Sequence, residues 1–157
     1  MTGFVSVYDR FFGKITDDMY LELTPEDTQR DLQSLLIDSV PAFEFPRQSL
    51  RYVIDEDNGS HFESDLTDEE LNILALLMKN AWLNRQITSI ENTRQKYSGS
   101  DFKMTSQANH LAKLLELRKE TRREELHMQR LYKRRKYDEN GIARSNWGIL
   151  RSKSALD

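Results

Sequence analysis

The stretch that decides the fold is residues 65–97, DLTDEELNILALLMKNAWLNRQITSIENTRQKY. Thr67 and Glu70 stand three residues apart just before an apolar run, which is the capping-box pattern of a helix N-terminus. The apolar residues that follow recur at helical spacing over more than one side: Leu71, Leu74, Ala75, Leu77, Met78, Ala81, Trp82, Leu83, Ile87 and Ile90. We therefore predict a long, buried helix from Asp68 to Tyr97, about 45 Å in length at 1.5 Å per residue.

A shorter helix is predicted from Pro25 to Ser39. Thr24 can cap it, and proline suits the first helical position because its missing N–H would have no partner there. Its apolar residues, Leu32, Leu35 and Leu36, form a stripe on one side of the helix. Pro41 ends the helix. The helix is therefore one-sided.

The segment between these two helices is expected to be extended. Apolar and polar residues alternate over short stretches from Phe43 to Ile54, which favours a strand or a small hairpin interrupted by Pro46. Residues 55–65, DEDNGSHFESD, are predicted to form an acidic loop.

A third helix is predicted from Ser106 to Tyr137, after a break at SGSD, residues 98–101. The short break implies that this helix runs antiparallel to the long one, as a helical hairpin. Leucines give its first half a core face, but beyond Arg118 the apolar residues become sparse among charged ones. We therefore expect the distal half to project from the bundle and to offer its apolar positions to a neighbouring subunit or a partner.

Length and composition indicate one soluble, mainly α-helical domain. A chain of 157 residues is too short for two ordinary domains, and 31% charged residues is typical of much exposed helix surface. Cysteine is absent, which excludes disulfides and thiolate metal sites. No signal peptide and no membrane-spanning run is visible, so we expect synthesis in the cytoplasm and no membrane contact. We assign a helical-bundle domain to residues 1–137 and an extended arm to residues 138–157.

Charge is distributed unevenly along the chain. Residues 1–75 carry 17 acidic and 5 basic side chains, whereas residues 76–157 carry 9 acidic and 18 basic ones. The two parts therefore have net charges of opposite sign. Such a distribution can serve one chain that folds back on itself, or identical chains that meet acidic face to basic face.

Catalytic motifs are absent from the sequence. The histidines are scattered, no H-E-x-x-H motif occurs, and there is neither a glycine-rich phosphate loop nor a nucleophile elbow. An EF-hand loop beginning at Asp55 would need glycine at its sixth position and glutamate at its twelfth, where the sequence has Ser60 and Leu66. We predict a protein that is not an enzyme, with no catalytic residue, no metal and no cofactor.

The strongest charge signal is RLYKRRKY, residues 130–137, which is predicted to form the end of the third helix. Its basic cluster comprises Arg130, Lys133, Arg134, Arg135 and Lys136. Three interpretations remain open: a solvated helix end that complements the helix dipole, a contact with an acidic protein partner, and a non-specific contact with DNA phosphates. Sequence-specific DNA reading is disfavoured, because no helix-turn-helix, zinc finger or RNA-binding motif surrounds the cluster.

Several stretches resemble one known family. They are YDRFFGKITDDMYLELTPEDTQRDLQSLLIDSVPAFEFP (8–46), LTDEELNILALLMKNAWLNRQI (66–87), SGSDFKMTSQANHLAKL (98–114), LYKRRK (131–136) and SNW (145–147). In order and wording these stretches resemble the head-to-tail connector, or adaptor, proteins of tailed bacteriophages.

The resemblance implies a structural role in the virion. Adaptors of this kind are small helical bundles that form a ring, typically a dodecamer, between the portal protein and the next neck or tail-completion protein. The ring extends the DNA channel, and its location is the neck between capsid and tail. An alternative from another class is a non-enzymatic accessory protein that binds or packages DNA.

Two sets of contact residues follow from this reading. Family adaptors commonly place an extended C-terminal arm on the portal, which here implies a portal-binding arm with Arg144, Asn146, Trp147, Ile149 and Leu150. The unequal charge of the two parts of the chain suits contacts between identical neighbours, and we assign Arg122 and Arg123 to the ring interface. The basic cluster would then face the portal or the channel wall.

Overall fold

The structure, a computed structural model, describes residues 1–15, 20, 23–55, 58–96, 101–137 and 143–145. These residues are mainly α-helical, as predicted. The helices are α1 (Val5–Phe12), α2 (Pro25–Ser39), α3 (Asp68–Lys96) and α4 (Asp101–Arg134), with a 3-10 turn at Val40–Ala42. The strands are β1 (Thr2–Gly3), β2 (Tyr52–Val53), β3 (His61–Phe62), β4 (Arg135–Tyr137) and β5 (Ala143–Ser145).

The strands form two small antiparallel sheets. β3 lies between β1 and β2, so that His61 stands opposite both Gly3 and Val53. β4 pairs with β5, and Lys136 stands opposite Arg144. The extended chain predicted before the acidic loop is thus present at β2.

The predicted helix starts are confirmed for α2 and α3. The Thr24 side chain accepts a hydrogen bond from the Asp27 backbone N–H at 3.1 Å, with Pro25 at the first helical position. At α3 the capping box is complete: the Glu70 carboxylate accepts from the Thr67 backbone N–H at 2.8 Å, and the Thr67 hydroxyl oxygen accepts from the Glu70 N–H at 3.3 Å. The predicted end at Tyr97 lies outside the described residues.

The apolar core surrounds α3, which α1, α2 and α4 all contact. Ile73, Leu74 and Met78 of α3 are fully buried, and Trp82 is 7% exposed. Other elements contribute the remaining core side chains: Phe4, Val7, Phe11, Leu32, Leu35, Leu36, Phe43, Phe62, Leu111 and Leu114. The leucine stripe predicted for α2 therefore faces the core.

α3 and α4 form the predicted antiparallel hairpin. The Tyr132 hydroxyl donates to Glu70 Oε1 at 2.6 Å, and Asn80 Nδ2 donates to Glu125 Oε2 at 3.0 Å. Residue numbers rise along α3 as they fall along α4, so the two helices run in opposite directions. α4 begins at Asp101 rather than at Ser106.

Two predictions for α4 are wrong. The distal half of α4 does not project, because Glu125, Gln129 and Tyr132 are buried within the same chain. The helix ends at Arg134 instead of Tyr137, because β4 takes up the next residues to pair with β5. A helix that no sequence pattern predicted, α1, precedes residue 25 and buries Val7, Tyr8 and Phe11.

Candidate functional site

The predicted basic cluster lies where α4 ends and β4 begins, and we call this region the basic end. Arg130, Lys133 and Arg134 occupy the last turns of α4, whereas Arg135 and Lys136 belong to β4. The cluster is therefore divided between a helix and a strand, which corrects the prediction of one continuous helix.

Two cations of the basic end form ion pairs with the acidic part of the chain. Lys133 Nζ lies 2.8 Å from Glu44 Oε2, and Arg135 Nη1 lies 2.9 Å from Glu69 Oε1. The hydrogen bond from Lys133, together with the charge of that ammonium group, lowers the pKa of the Glu44 carboxyl. These two cations are thus engaged within the molecule.

Arg47 joins the segment after α2 to the end of α4. Its guanidinium carbon lies 3.9 Å from the centroid of the Tyr132 ring, a stacked cation–π geometry. Its Nη2 donates to the backbone carbonyl oxygens of Tyr132 and Arg135. Its backbone N–H donates to the Tyr132 hydroxyl at 2.7 Å. Arg47 therefore satisfies carbonyl groups that a helix C-terminus leaves without partners.

Glu70 and Tyr132 form the buried centre of this region. Burial raises the pKa of Glu70, but hydrogen bonds from Tyr132, Thr67 and Gln48 outweigh it, so the net pKa lies below its ordinary value. Burial, and then the hydrogen bond to Glu70, raise the pKa of the Tyr132 hydroxyl. The pair therefore holds a carboxylate and a neutral phenol at neutral pH.

A second group of polar contacts lies one to two turns earlier in α4. Gln129 Oε1 accepts from the Glu44 backbone N–H at 2.7 Å, and Gln129 Nε2 donates to Glu125 Oε1 at 3.2 Å. Glu125 also accepts from Asn80 and from Arg122. We use the name polar seam for Glu70, Glu125, Gln129 and Tyr132 with their partners in residues 42–48. It fixes the extended segment onto α4.

Phe45 is presented outward by this fixed segment. Its side chain is 74% exposed, and its φ of 56° places a bulky residue in the left-handed region. Lys133 Nζ lies 4.1 Å from the centroid of its ring. An exposed aromatic ring in a strained conformation beside a cation is a candidate contact point for another group.

The outward face of α4 carries a separate charge pattern. Glu116, Glu120, Arg123, His127, Arg130 and Arg134 follow one another at intervals of three and four residues, and all are exposed. We call this row the outer stripe. It lies opposite the buried positions Glu125 and Tyr132, and it is acidic at one end and basic at the other. Within the described ranges, none of its members has a salt-bridge partner within 4.0 Å.

The two predicted ring-interface residues have different surroundings. Arg122 Nη1 lies 2.7 Å from Glu125 Oε1, whose side chain is fully buried. Arg123 is exposed and belongs to the outer stripe. Only Arg123 is therefore available to another molecule without loss of an internal ion pair.

The predicted portal-binding arm is described only at Ala143–Ser145. Arg144 lies on β5, and Ser145 stands opposite Arg135 at the basic end. Asn146, Trp147, Ile149 and Leu150 lie outside the described residues.

Neither a metal centre nor a membrane span is found in the described part of the chain. No three His, Asp or Glu residues there are grouped so as to hold a metal ion. None of the described helices combines the length and the apolar content that crossing a bilayer requires. Compared with protein-family models, curated proteins and solved structures, the chain gives no match.

Proposed function

We propose that this chain is a structural protein of the phage neck, an adaptor that forms an oligomeric ring between the portal and the next neck or tail-completion component. In this role it extends the DNA channel and performs no catalysis. The proposal starts from the sequence resemblance, and the outer stripe is the structural observation that supports it best.

The outer stripe suits contacts between identical neighbours. Glu116 and Glu120 at one end and Arg123, Arg130 and Arg134 at the other give one rigid helix face two opposite charges. When such a face meets a differently placed face of the next copy, the contact is heterologous and closes into a ring if the rotation permits. Complementary charge of this kind fixes the register of the contact more than its strength.

Internal ion pairs account for only part of the charge asymmetry. Arg85 pairs with Asp31 and Asp38, Lys133 pairs with Glu44, and Arg135 pairs with Glu69. The folded chain therefore does use its own acidic part to bind some of its basic part. Among the described residues, the stripe cations Arg123, Arg130 and Arg134 take no part in these pairs, which favours an intermolecular role for them.

Charge reversal on the stripe tests the ring. Wild-type protein should form rings in light scattering coupled to size exclusion and in electron micrographs, and Arg123→Glu should impair them. Arg118→Glu is the matched control, since it makes the same change on the same helix, away from the stripe, at an exposed position. Normal rings from Arg123→Glu would exclude the stripe as the ring contact.

A complementation experiment sharpens the test. Glu120→Arg should also impair rings, but an equimolar mixture with Arg123→Glu should restore them, because the two reversed charges can then face each other. If wild-type chain forms no ring, alone or with the portal protein of the same virus, the adaptor proposal itself is wrong.

The arm supplies an independent test of portal attachment. Deletion of residues 146–157 keeps β4 and β5 and should leave the helix content unchanged while abolishing portal binding. Trp147→Ala alone should weaken binding by about 2 kcal/mol or more, as for a buried aromatic at an interface. Full-strength binding by the truncated chain would show that the arm is not the attachment.

The exposed arginines of the outer stripe favour DNA binding as the second candidate. Arg123, Arg130 and Arg134 have no salt-bridge partner within 4.0 Å among the described residues, so they are free to neutralise phosphates. An accessory DNA-binding protein would bind duplex as a monomer or dimer, with affinity that falls steeply with salt. Tight, salt-dependent duplex binding together with no ring would favour this candidate over the adaptor.

A further inference from the structure

Phe45 is an exposed aromatic ring on a segment that the rest of the chain holds in place. Its side chain is 74% exposed, and its backbone has a left-handed φ of 56°. Gln129 accepts a hydrogen bond from the Glu44 backbone N–H, and the Tyr132 hydroxyl oxygen accepts one from that of Arg47. The segment is thus fixed to α4 on both sides of the ring, so a group that binds the ring has little of the chain to order.

Cations lie close to the Phe45 ring. Lys133 Nζ lies 4.1 Å from the ring centroid and 2.8 Å from Glu44 Oε2, so it occupies one face of the ring and neutralises the nearest carboxylate. The hydrogen bond and charge of Lys133, and then the charges of Arg122 and Arg130, lower the pKa of the Glu44 carboxyl. Arg130 therefore acts on this surface, one helical turn before Lys133.

We use the name aromatic-cationic site for Phe45, Arg130, Lys133 and Arg134. Arg130 and Arg134 are exposed and stand four residues apart in α4, and in the described part of the chain neither has a salt-bridge partner within 4.0 Å. Within the same ranges, Lys133 is the one cation over the Phe45 ring and no other aromatic ring contacts it. The site therefore offers an open ring face with two arginines nearby.

A nucleotide in a single strand has the complementary chemistry. Its base is a flat π-system that can stack on an aromatic side chain, and its phosphates carry the negative charge that a guanidinium group binds. In a duplex the faces of the bases are already stacked on one another, so a duplex can use the arginines but not the ring.

An acidic protein segment fits the site less well. Protein interfaces have an apolar centre surrounded by a polar rim. Among the described side chains, no large exposed apolar residue other than Phe45 lies in residues 40–48 or 122–135. A single ring among charged groups suits the stacking of one flat group better than an interface centre.

We propose that the aromatic-cationic site binds single-stranded nucleic acid, with one base stacked on the open face of Phe45 and neighbouring phosphates bound by Arg130 and Arg134. This inference goes beyond the proposed function, and the two fail separately. A chain that forms rings but binds no single strand would overturn this inference and leave the adaptor proposal intact.

Fluorescence anisotropy of labelled oligothymidylate and oligouridylate tests the site. The full-length chain is used at a concentration where light scattering detects no ring. Phe45→Ala should weaken single-strand binding about fivefold or more and leave duplex binding unchanged, because only the stacked base is lost. Leu115→Ala removes another apolar side chain, 44% exposed on α4, and should change neither affinity. The ratio of the two wild-type affinities identifies DNA or RNA as the preferred strand.

Three further variants separate stacking from charge. Phe45→Trp keeps an aromatic ring and should retain the affinity, whereas Phe45→Leu keeps only an apolar side chain and should behave like Phe45→Ala. Arg130→Gln should reduce the slope of log affinity against log salt concentration by about 0.7, the value for one phosphate contact on a single strand.

Three results would overturn the proposal. The first is that wild type binds no single strand. The second is that Phe45→Ala binds the single strand as wild type does, or loses single strand and duplex affinity equally. The third is that polyglutamate binds as tightly as the oligonucleotides with the same loss in Phe45→Ala, which would identify an acidic protein segment as the ligand.

Discussion

The apolar core and the polar seam hold two regions of the molecule together by different means. Around Ile73 and Leu74 the buried side chains that α1, α2 and α3 contribute to the core are apolar. Toward the distal half of α4 the buried positions are Thr121, Glu125, Gln129 and Tyr132, and directed hydrogen bonds join the last three to other elements. The first arrangement supplies most of the free energy of folding, because apolar burial is its main favourable contribution. The second fixes where one particular segment lies.

The difference shows in how tolerant each region should be to substitution. An apolar core accepts other apolar side chains of similar volume at small cost. A buried polar network is favourable only when all its members have partners, since each donor or acceptor left alone costs about 1 to 3 kcal/mol. The seam is therefore the more specific region and the core the more stabilising one.

The largest effect is expected in the apolar core. Trp82→Ala removes a side chain that is only 7% exposed and should lower the free energy of unfolding by about 3 to 5 kcal/mol. Urea titration measures the change, with Leu115→Ala as the exposed control. An unchanged unfolding curve for Trp82→Ala would show that this side chain does not belong to the core.

A smaller effect is expected in the seam. Tyr132→Phe keeps the ring but removes the hydroxyl that bonds Glu70 and the Arg47 backbone, at an expected cost of about 1 to 3 kcal/mol. Tyr52→Phe is the matched control, because within the described residues the Tyr52 hydroxyl has no hydrogen-bond partner, and it should cost little. Similar unfolding midpoints for the two variants would mean that the seam stabilises the fold no more than the surface does.

A still smaller effect should separate two adjacent arginines. Arg122→Glu places a negative charge beside the buried Glu125 carboxylate and should cost about 1 kcal/mol or more. Arg123→Glu changes an exposed residue and should alter the free energy of unfolding by no more than about 0.5 kcal/mol. Thermal unfolding of both variants at low concentration checks the difference. Equal losses would show that the Arg122–Glu125 pair contributes nothing to the seam.

The smallest expected effect is on how the stability of the protein depends on acid pH, because the substitution changes one carboxyl group among many. The folded pKa of Glu70 lies below its ordinary value of 4.5, so its contribution is complete above about pH 4.5 and is lost as pH falls through the folded value. The free energy of unfolding of Glu70→Gln should therefore be lower than that of wild type at pH 7. This difference between the two proteins should become smaller below pH 4.5. Urea titrations at pH 7, 5, 4 and 3 measure the difference, with exposed Glu63→Gln as control. A difference that stays constant with pH would contradict the assigned ionisation.

Periodicity predicted the core but not the seam. Thr67 with Glu70, and Thr24 with Pro25, are local signals that mark helix starts whatever the rest of the chain does. The inward positions of distal α4 are polar, so an apolar pattern ends there and the helix was expected to project. Burial of Glu125 and Gln129 depends on partners that are distant in sequence, and only the folded chain brings those partners together.

Two further features of the basic end depended on distant residues. β4 exists because Arg135–Tyr137 pairs with Ala143–Ser145, and the Asn140-Gly141 pair between them was the available hairpin signal. Arg47 and Phe45 had no local pattern that would single them out. The outer stripe, by contrast, can be read from spacing alone once the helix is known, and Arg123 was among the residues assigned from sequence.

Glu70 completes the capping box of α3 and also accepts the hydroxyl of Tyr132, so one carboxylate joins the first turn of α3 to the last turn of α4. Fraying of either helix end therefore deprives the other of a partner. The amide hydrogens of both turns should exchange with solvent through one shared opening, although 62 residues separate them. Because such a distant contact requires closing a long loop, these two helix ends should be among the last parts of the bundle to become ordered during folding.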